Sequence, residues 1–383
     1  MIFLLIASYA DSLINFRGSL IAALQAKGLT VHVAAPDLGK DSPQRTQLQA
    51  LGLQVHDIPL QRTGLNPIAD LKALWSLVQL ISQINPQYMM AYTIKPVVYG
   101  LLAGMICRVP HRFALITGLG YAFQDDDSTT AQNSRGWIKK IAQNLYRVAL
   151  RGAELTFFQN PDDEALFRQL GILSANAQTL VVNGSGVDIR QYDVAPLPTF
   201  GTDQPIVFLM IARLLGDKGT REYAEAAKII SARYPQQTRF DLVGWIDDNP
   251  NAIEQYELDQ WISDGRLQFL GKLKDVRPAI ADCAVYVLPS YREGTPRTVL
   301  EAMAMGRAVI TTDAAGCRET VIHEQNGYLV EVKSVDALVD AMEKLIQDPT
   351  LIVSMGQQSR QLAEVKYDVN LVNSTMIKAM GIR

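Results

Sequence analysis

The sequence has 383 residues, which is too long for one ordinary hydrophobic core and fits two domains of roughly 150–200 residues each. Hydrophobic residues make up 48% of the chain and charged residues 20%, a composition that excludes intrinsic disorder. The formal net charge is −3, and no basic patch is interleaved with aromatic residues, so we expect no nucleic-acid partner.

Short apolar runs alternate with segments of helical periodicity along the whole chain, which predicts βαβ units and parallel sheets. The predicted strands are 2–7, 30–36, 88–92, 112–117, 154–159 and 179–183, then 205–213, 240–244, 267–271, 284–290 and 308–313. One amphipathic helix is predicted from Leu13 to Lys27. The fold class is therefore α/β, with two Rossmann-like domains.

The stretch from Arg190 to Pro205 breaks this alternation, with three prolines, one glycine and no helical period. We place a linker at 191–204, between an N-terminal domain at 1–190 and a C-terminal domain at 205–362. Doubly wound sheets bind ligands at the carboxyl ends of their strands, so we expect a site in a cleft between the two domains.

Metal and cofactor sites are not predicted. The three cysteines and four histidines are scattered without metal-ligand spacing, and the run Asp125–Asp127 falls in a predicted loop where the carboxylates are solvated. We therefore expect no cofactor, and reduced cysteines in a cytoplasmic protein.

Contact with a membrane surface is predicted from charge and from one helix. No segment has the roughly 18–20 continuous apolar residues of a spanning helix. The first 190 residues carry 16 Lys and Arg against 13 Asp and Glu, whereas the rest carries 20 against 26. The segment 133–152 combines basic residues with an apolar face formed by Trp137, Ile138, Ile141, Leu145, Val148 and Ala149. That face either lies in a membrane interface or packs on the sheet.

The most informative segment is 290–321, which follows a predicted strand and turns through EGTP into a helix. Thr295 is the predicted N-cap and Pro296 the first helical residue. Glu293 then lies on a loop at the carboxyl end of a strand. Glu301 lies within an otherwise apolar helix, where a buried carboxylate needs hydrogen-bond donors such as ribose hydroxyls.

A second segment, MIARLLGDKG at 210–219, ends another predicted strand with Arg213 and Lys218 around a loop. Positive charge beside a helix N-terminus stabilises a diphosphate leaving group. These residue types in this order therefore indicate a diphosphate site.

The spacing of Glu293 and Glu301 within EGTPRTVLEAMAMG resembles the E-x7-E signature of family GT4, the retaining glycosyltransferases of GT-B fold. The resemblance implies that Glu293 contacts the transferred sugar and Glu301 the nucleotide ribose, while Arg213 and Lys218 hold the diphosphate. Glu293, Arg213 and Lys218 are the implied catalytic residues. The implied donor site is completed by Gly294, Thr295, Pro296, Thr298 and Val299.

The first domain offers weaker candidates after its predicted strands. Asn15 and Arg17 follow the first strand, where the loop of related enzymes meets the acceptor or the donor phosphate, although helix capping explains a polar loop equally well. Lys95 follows another strand. Thr117 and Gly118 stand near the place where many GT4 relatives carry a histidine, so the histidine contact is missing here.

The resemblance implies two Rossmann-like domains whose parallel sheets face each other across a cleft, with a final helix at about 363–383 crossing back to the first domain. It further implies transfer from a UDP-sugar, an N-acetylhexosamine with N-acetylgalactosamine favoured, to a polyprenyl-diphosphate-linked saccharide at the cytoplasmic face of the inner membrane. Capsule and O-antigen transferases share these motifs. The alternatives are a transferase that uses another hexose donor, a sugar-nucleotide epimerase of GT-B fold and a non-catalytic GT-B subunit.

Overall fold

The computed structural model describes residues 1–61, 66–118, 132–200, 204–247, 249 and 251–383, without the side chains of 132–139. The chain forms two compact units. The first comprises Met1–Ser185 and Val372–Arg383, and the second comprises Gly186–Leu371.

The first unit contains a parallel sheet of seven strands among the described residues, in the order β3-β2-β1-β4-β5-β6-β7. The strands are β1 Ile2–Ile6, β2 Thr30–Ala35, β3 Gln54–Asp57, β4 Tyr88–Tyr92, β5 His111–Ile116, β6 Leu155–Phe158 and β7 Thr179–Val181. The helices up to the second unit are α1 Ala10–Asn15, α2 Gly18–Ala26, α3 Pro43–Ala50, α4 Pro67–Ile84, α5 Leu101–Ile106, α6 Gln132–Leu150 and α7 Pro161–Gln169.

The second unit contains a parallel sheet with six strands in the described part of the chain, in the order β10-β9-β8-β11-β12-β13. Its strands are β8 Ile206–Arg213, β9 Thr238–Trp245, β10 Gln268–Gly271, β11 Val285–Leu288, β12 Ala308–Thr312 and β13 Gly327–Val330. Its helices are α8 Thr220–Arg233, α9 Gln255–Ser263, α10 Arg277–Asp282, α11 Arg297–Ala304, α12 Val335–Gln347 and α13 Thr350–Leu362, and α14 Val369–Ala379 closes the chain.

Both faces of each sheet are covered, which explains the continuous apolar runs of the strands. In β1, Phe3 and Leu5 pack in one core cluster, whereas Leu4 and Ile6 pack in the cluster on the opposite face. This alternation follows from the two-residue period of a strand. The two Rossmann-like sheets of the prediction are confirmed.

Two strands and one helix differ from the sequence-based expectation. Strands β3 and β13 were not predicted; each has only four residues and lies at the edge of its sheet. The single helix expected from Leu13 to Lys27 is wrong. The chain forms α1 and α2 instead, separated at Phe16 and Arg17.

The stretch 191–204, expected to be a linker, lies within the second unit. The fully buried Arg307 guanidinium donates hydrogen bonds to the carbonyl oxygens of Ala195 and Pro196, at 2.9 and 3.1 Å. A buried cation needs such acceptors, and burial lowers the pKa of Arg307. These hydrogen bonds attach Ala195 and Pro196 to the core of the second unit.

Helix α6 contains the segment expected to be basic and amphipathic. The side chains of Trp137 and Ile138 lie outside the described residues. Within the described part, Ala149 is buried, whereas Ile141 and Val148 are exposed. The expected apolar face therefore packs on the core only in part.

Candidate functional site

The strand order of the second sheet reverses between β8 and β11, which are neighbours in space but not in sequence. Such a switch point is where doubly wound sheets bind ligands. Lys218 follows β8 and Glu293 follows β11. Lys218 Nζ lies 2.5 Å from Glu293 Oε1, and the two side chains are 15% and 18% exposed. The structure therefore brings together two of the predicted catalytic residues.

Backbone contacts hold these two loops against each other. The Tyr291 amide and the Ser290 hydroxyl donate to the carbonyl oxygen of Asp217, at 2.9 and 3.2 Å. Gly219 has φ +72°, and a Cβ there would lie 2.1 Å from the carbonyl oxygen of Pro289. Only glycine fits so close an approach at that φ.

A third loop closes behind Glu293. The amide of Glu293 donates to the carbonyl oxygen of Ala315 at 2.9 Å. Gly316 has φ +79°, and a Cβ there would lie 2.1 Å from the carbonyl oxygen of Glu293. The position of the Glu293 backbone is thus fixed by loops after β8, β11 and β12 together.

Arg213, the third predicted catalytic residue, has a different carboxylate partner. Its Nη1 lies 2.7 Å from Asp247 Oδ2, in the loop after β9, and both side chains are partly exposed. The predicted role of Arg213 in holding a diphosphate stays a prediction.

Glu301 is 5% exposed, as its apolar surroundings in the sequence predicted. Two side chains of the protein donate hydrogen bonds to its carboxylate. Arg297 Nε lies 2.9 Å from Glu301 Oε1, and the Tyr192 hydroxyl also bonds the carboxylate. Burial raises the pKa of Glu301 above its ordinary value, and these two partners oppose that shift. Tyr192 was missed because it lies in the stretch interpreted as a linker.

The start of α11 differs from the expectation. The helix begins at Arg297, and its N-cap residue is Pro296, which has no side-chain capping bond, so the prediction of Thr295 as N-cap is wrong. The cause is backbone conformation: Pro296 itself is extended, with φ −72° and ψ 107°.

The remaining residues of the predicted donor site lie either on α11 or in the EGTP loop before it. The Tyr286 hydroxyl donates to Thr298 Oγ1 at 2.6 Å, and the Val299 side chain lies in the hydrophobic core. The Val299 amide donates to the carbonyl oxygen of Pro296 at 3.1 Å. Thr298 and Val299 therefore support the helix, and the EGTP loop with Gly294 and Thr295 stands next to Glu293.

In the first unit, the two candidates after β1 are placed differently. Asn15 is exposed at the last residue of α1, whereas Arg17 is 4% exposed. The Arg17 guanidinium carbon lies 5.0 Å from the centre of the Tyr92 ring, and the Tyr92 hydroxyl lies 2.7 Å from Ser12 Oγ. Burial raises the pKa of Tyr92 to about 12. Arg17 thus covers a buried tyrosine at the end of β4.

Lys95 forms a buried ion pair. Its Nζ lies 2.7 Å from Asp70 Oδ1 on α4, with the side chains 11% and 8% exposed. The Tyr99 hydroxyl also bonds Asp70. This pair ties α4 to the segment after β4.

Thr117 and Gly118 follow β5, and Gly118 has φ +116°. The residues that follow them, 119–131, lie outside the described part of the chain. Asp125–Asp127 lies outside the described residues. Among the residues that are described, no group of His, Cys, Asp and Glu could hold a metal ion. None of the helices in the described part of the chain has the length and apolarity needed to cross a bilayer.

Two family models match the chain. "Glycosyl transferase 4-like domain" matches residues 16–184, and "Glycosyl transferases group 1" matches residues 205–348. One model therefore falls in each of the two sheets, and together they account for most of the sequence.

Relatives and solved structures agree with this match. The N,N'-diacetylbacillosaminyl-diphospho-undecaprenol alpha-1,3-N-acetylgalactosaminyltransferase of Campylobacter jejuni is 27% identical over 96% of this chain and 95% of its own length. The UDP-Gal:alpha-D-GlcNAc-diphosphoundecaprenol alpha-1,3-galactosyltransferase of Escherichia coli is 26% identical, covering 77% of this chain and 75% of the relative.

The structure of HepE from Anabaena in complex with UDP superposes with a TM-score of 0.74 at 21% identity, over 100% of both chains. This likeness shows the fold, and the family models show the kind of enzyme. The chain belongs to the GT4 family of glycosyltransferases, with the GT-B fold.

Proposed function

We propose that this chain is a retaining hexosyltransferase that moves a sugar from a UDP-sugar to a polyprenyl-diphosphate-linked saccharide in bacterial glycan synthesis. The favoured donor sugar is an N-acetylhexosamine, in particular N-acetylgalactosamine. The observation that carries the proposal is the Lys218–Glu293 pair at the switch point of the second sheet. The names of the Campylobacter and Escherichia relatives support the acceptor class, and the latter supports UDP.

Each group has a role in the proposed reaction. The bond between the anomeric carbon and the β-phosphate oxygen breaks, and a bond to the acceptor hydroxyl oxygen forms on the same face of the sugar. The acceptor proton passes to the leaving phosphate oxygen, and UDP departs. Lys218 and Arg213 stabilise the negative charge that develops on the diphosphate, whereas Glu293 orients the sugar and stabilises positive charge at its anomeric carbon.

Glu301 is proposed to bind the ribose. Its carboxylate is held by Arg297 and Tyr192, so its oxygens have a fixed direction before the donor arrives. A carboxylate whose orientation is fixed in advance loses less entropy when the ribose binds than a mobile carboxylate does. The EGTP loop places Gly294, Thr295 and Pro296 next to the sugar-binding Glu293.

The proposed place of action is the cytoplasmic face of the inner membrane. Three exposed apolar side chains support contact with a bilayer: Ile68, Leu71 and Trp75 share one face of α4 and are 83%, 67% and 64% exposed. Replacing all three by serine should weaken co-sedimentation with vesicles of anionic phospholipid. The matched control replaces Val353 and Val365, exposed residues of the second unit. Equal sedimentation of both variants and the parent protein would reject this surface.

The transfer reaction is tested by release of nucleoside diphosphate from a panel of UDP-, GDP- and dTDP-sugars, with and without a short prenyl-diphosphate-linked N-acetylhexosamine acceptor. Acceptor-dependent release from one UDP-sugar, with an α-linked product seen by NMR, is the expected result. A β-linked product would reject retention. Accumulation of an epimerised nucleotide sugar without transfer would favour the epimerase alternative, and complete inactivity of folded protein would favour the non-catalytic subunit.

A further inference from the structure

Thr93 has an unusual backbone conformation at the end of β4. Its φ is +68°, in the left-handed region that a β-branched residue rarely adopts. A residue held there has a conformational cost, and such residues cluster at functional sites. Glycine would remove that cost, so the threonine side chain is the feature that needs an explanation.

The neighbouring strand supplies a partner. The first sheet reverses its strand order between β1 and β4, and Ser8 follows β1 as Thr93 follows β4. Thr93 Oγ1 donates a hydrogen bond to Ser8 Oγ at 2.8 Å, and both residues are partly exposed. The two hydroxyls therefore stand side by side at the switch point of the first sheet, the place where such sheets bind ligands.

The cations nearest in sequence do not face a ligand freely. Lys95 is paired with Asp70 at 2.7 Å, and Arg17 is buried over Tyr92. Within the hydroxyl pair, Ser8 retains a proton to donate, and both oxygens retain lone pairs to accept hydrogen bonds. This chemistry matches the hydroxyl groups of a sugar better than a bare phosphate, which calls for unpaired cations.

We infer that the Ser8–Thr93 hydroxyl pair binds the sugar of the acceptor and helps to determine which acceptor is used. The inference rests on the proposed function, because it names the contact that the first unit makes with the acceptor of that reaction. Thr93 keeps a strained backbone so that its hydroxyl meets that of Ser8 and both are presented to the sugar.

The test compares Thr93→Gly, Thr93→Ser and Ser8→Ala. Arg108→Gly is the control, since Arg108 also has a positive φ, +55°, but lies before β5, at the amino ends of the strands instead of their carboxyl ends. Initial rates with the UDP-sugar and a short prenyl-diphosphate-linked N-acetylhexosamine give KM for each substrate. Calorimetric titration of that acceptor, with UDP present, gives Kd without turnover.

Thr93→Gly and Ser8→Ala should each raise the acceptor KM and Kd about three- to tenfold, the range for one lost neutral hydrogen bond, with the donor KM unchanged. Thr93→Ser should bind acceptor like the parent protein. Both glycine variants should melt at or above the parent temperature, because glycine adopts positive φ at no cost.

Other results overturn the inference. Acceptor-dependent UDP release with an unchanged acceptor KM in Thr93→Gly and Ser8→Ala would leave the proposed function intact and reject the hydroxyl pair as a sugar contact. An equal rise in donor and acceptor KM would assign the pair a structural role and also reject it. If the parent protein neither binds the acceptor nor releases UDP with it, both proposals fail.

Discussion

Each sheet has a lysine–carboxylate pair near its switch point, and the two pairs differ in what they join. Lys218 and Glu293 both lie on loops at the carboxyl ends of neighbouring strands, 2.5 Å apart. Lys95 lies after a strand, but its partner Asp70 belongs to helix α4, 2.7 Å away. The first pair lies at the switch point, where doubly wound sheets bind ligands, whereas the second joins a helix to the segment after β4. Distance and burial alone do not separate the two roles; the elements that carry the partners do.

The largest effect is expected at Glu293. Glu293→Gln retains the size of the side chain and loses its charge, so kcat for sugar transfer should fall roughly 10³-fold, as when an electrostatic group is removed from an active site. Acceptor-dependent UDP release is the measurement. The control is Glu343→Gln, which breaks a surface pair with Arg233 at 3.0 Å and should leave kcat unchanged. A kcat within threefold of the parent value would refute the role of Glu293.

Breaking the Asp70–Lys95 pair should affect stability instead. Asp70→Ala leaves a buried ammonium without its carboxylate, which should lower the free energy of unfolding by about 3 kcal/mol in urea titrations. The double variant Asp70→Leu with Lys95→Met removes both charges and should regain most of that loss. If Lys95→Met keeps full stability but loses acceptor binding, Lys95 is a ligand-binding residue and the contrast between the two pairs is wrong.

Lys218→Ala is expected to lower kcat/KM for the donor about 10²-fold, because it removes positive charge from the place where the diphosphate leaves. Lys218→Arg should recover part of this loss, as it keeps the charge. Comparison of kcat/KM for the UDP-sugar in the two variants provides the measurement. Equal activity of the alanine and arginine variants would show that charge at this position does not act on the donor.

The smallest effect concerns Glu301. Glu301→Gln should raise the donor KM about tenfold through one lost charged hydrogen bond, with little change in kcat. Steady-state kinetics with varied UDP-sugar test this. A fall in kcat with an unchanged donor KM would place Glu301 outside the ribose site.

The same variant should also change how stability depends on pH. Burial raises the pKa of Glu301, so the folded state holds this proton more tightly than the unfolded chain does. That contribution is complete below the unfolded pKa and is lost as pH rises through the folded pKa. Glutamine lacks it. The melting temperature of Glu301→Gln relative to the parent protein should therefore increase as the pH rises above 4.5, the ordinary pKa of a glutamate carboxyl, and a decrease would contradict the direction of the shift.

The sequence was sufficient for the two sheets and for the position of Lys218 and Glu293 on loops after strands. Buried parallel strands are continuous apolar runs, and both residues follow such runs. The edge strands β3 and β13 were not predicted because a run of only four residues gives little sequence signal for a strand. The contact between Glu301 and Tyr192 was not predicted, because it depends on how residues 191–204 pack. The positive φ of Thr93 could not be predicted from the sequence, because a β-branched residue normally indicates a negative φ.

Attachment of residues Val372–Arg383 to the first unit has a consequence for protein synthesis. Val372, Met376, Ile377 and Met380 pack in the same core cluster as Phe3 and Leu5. This core takes residues from before and after the second unit, so during translation it cannot be completed until Val372–Arg383 have been made. While the second unit is being synthesised, the apolar side chains that pack against α14 therefore lack part of their core.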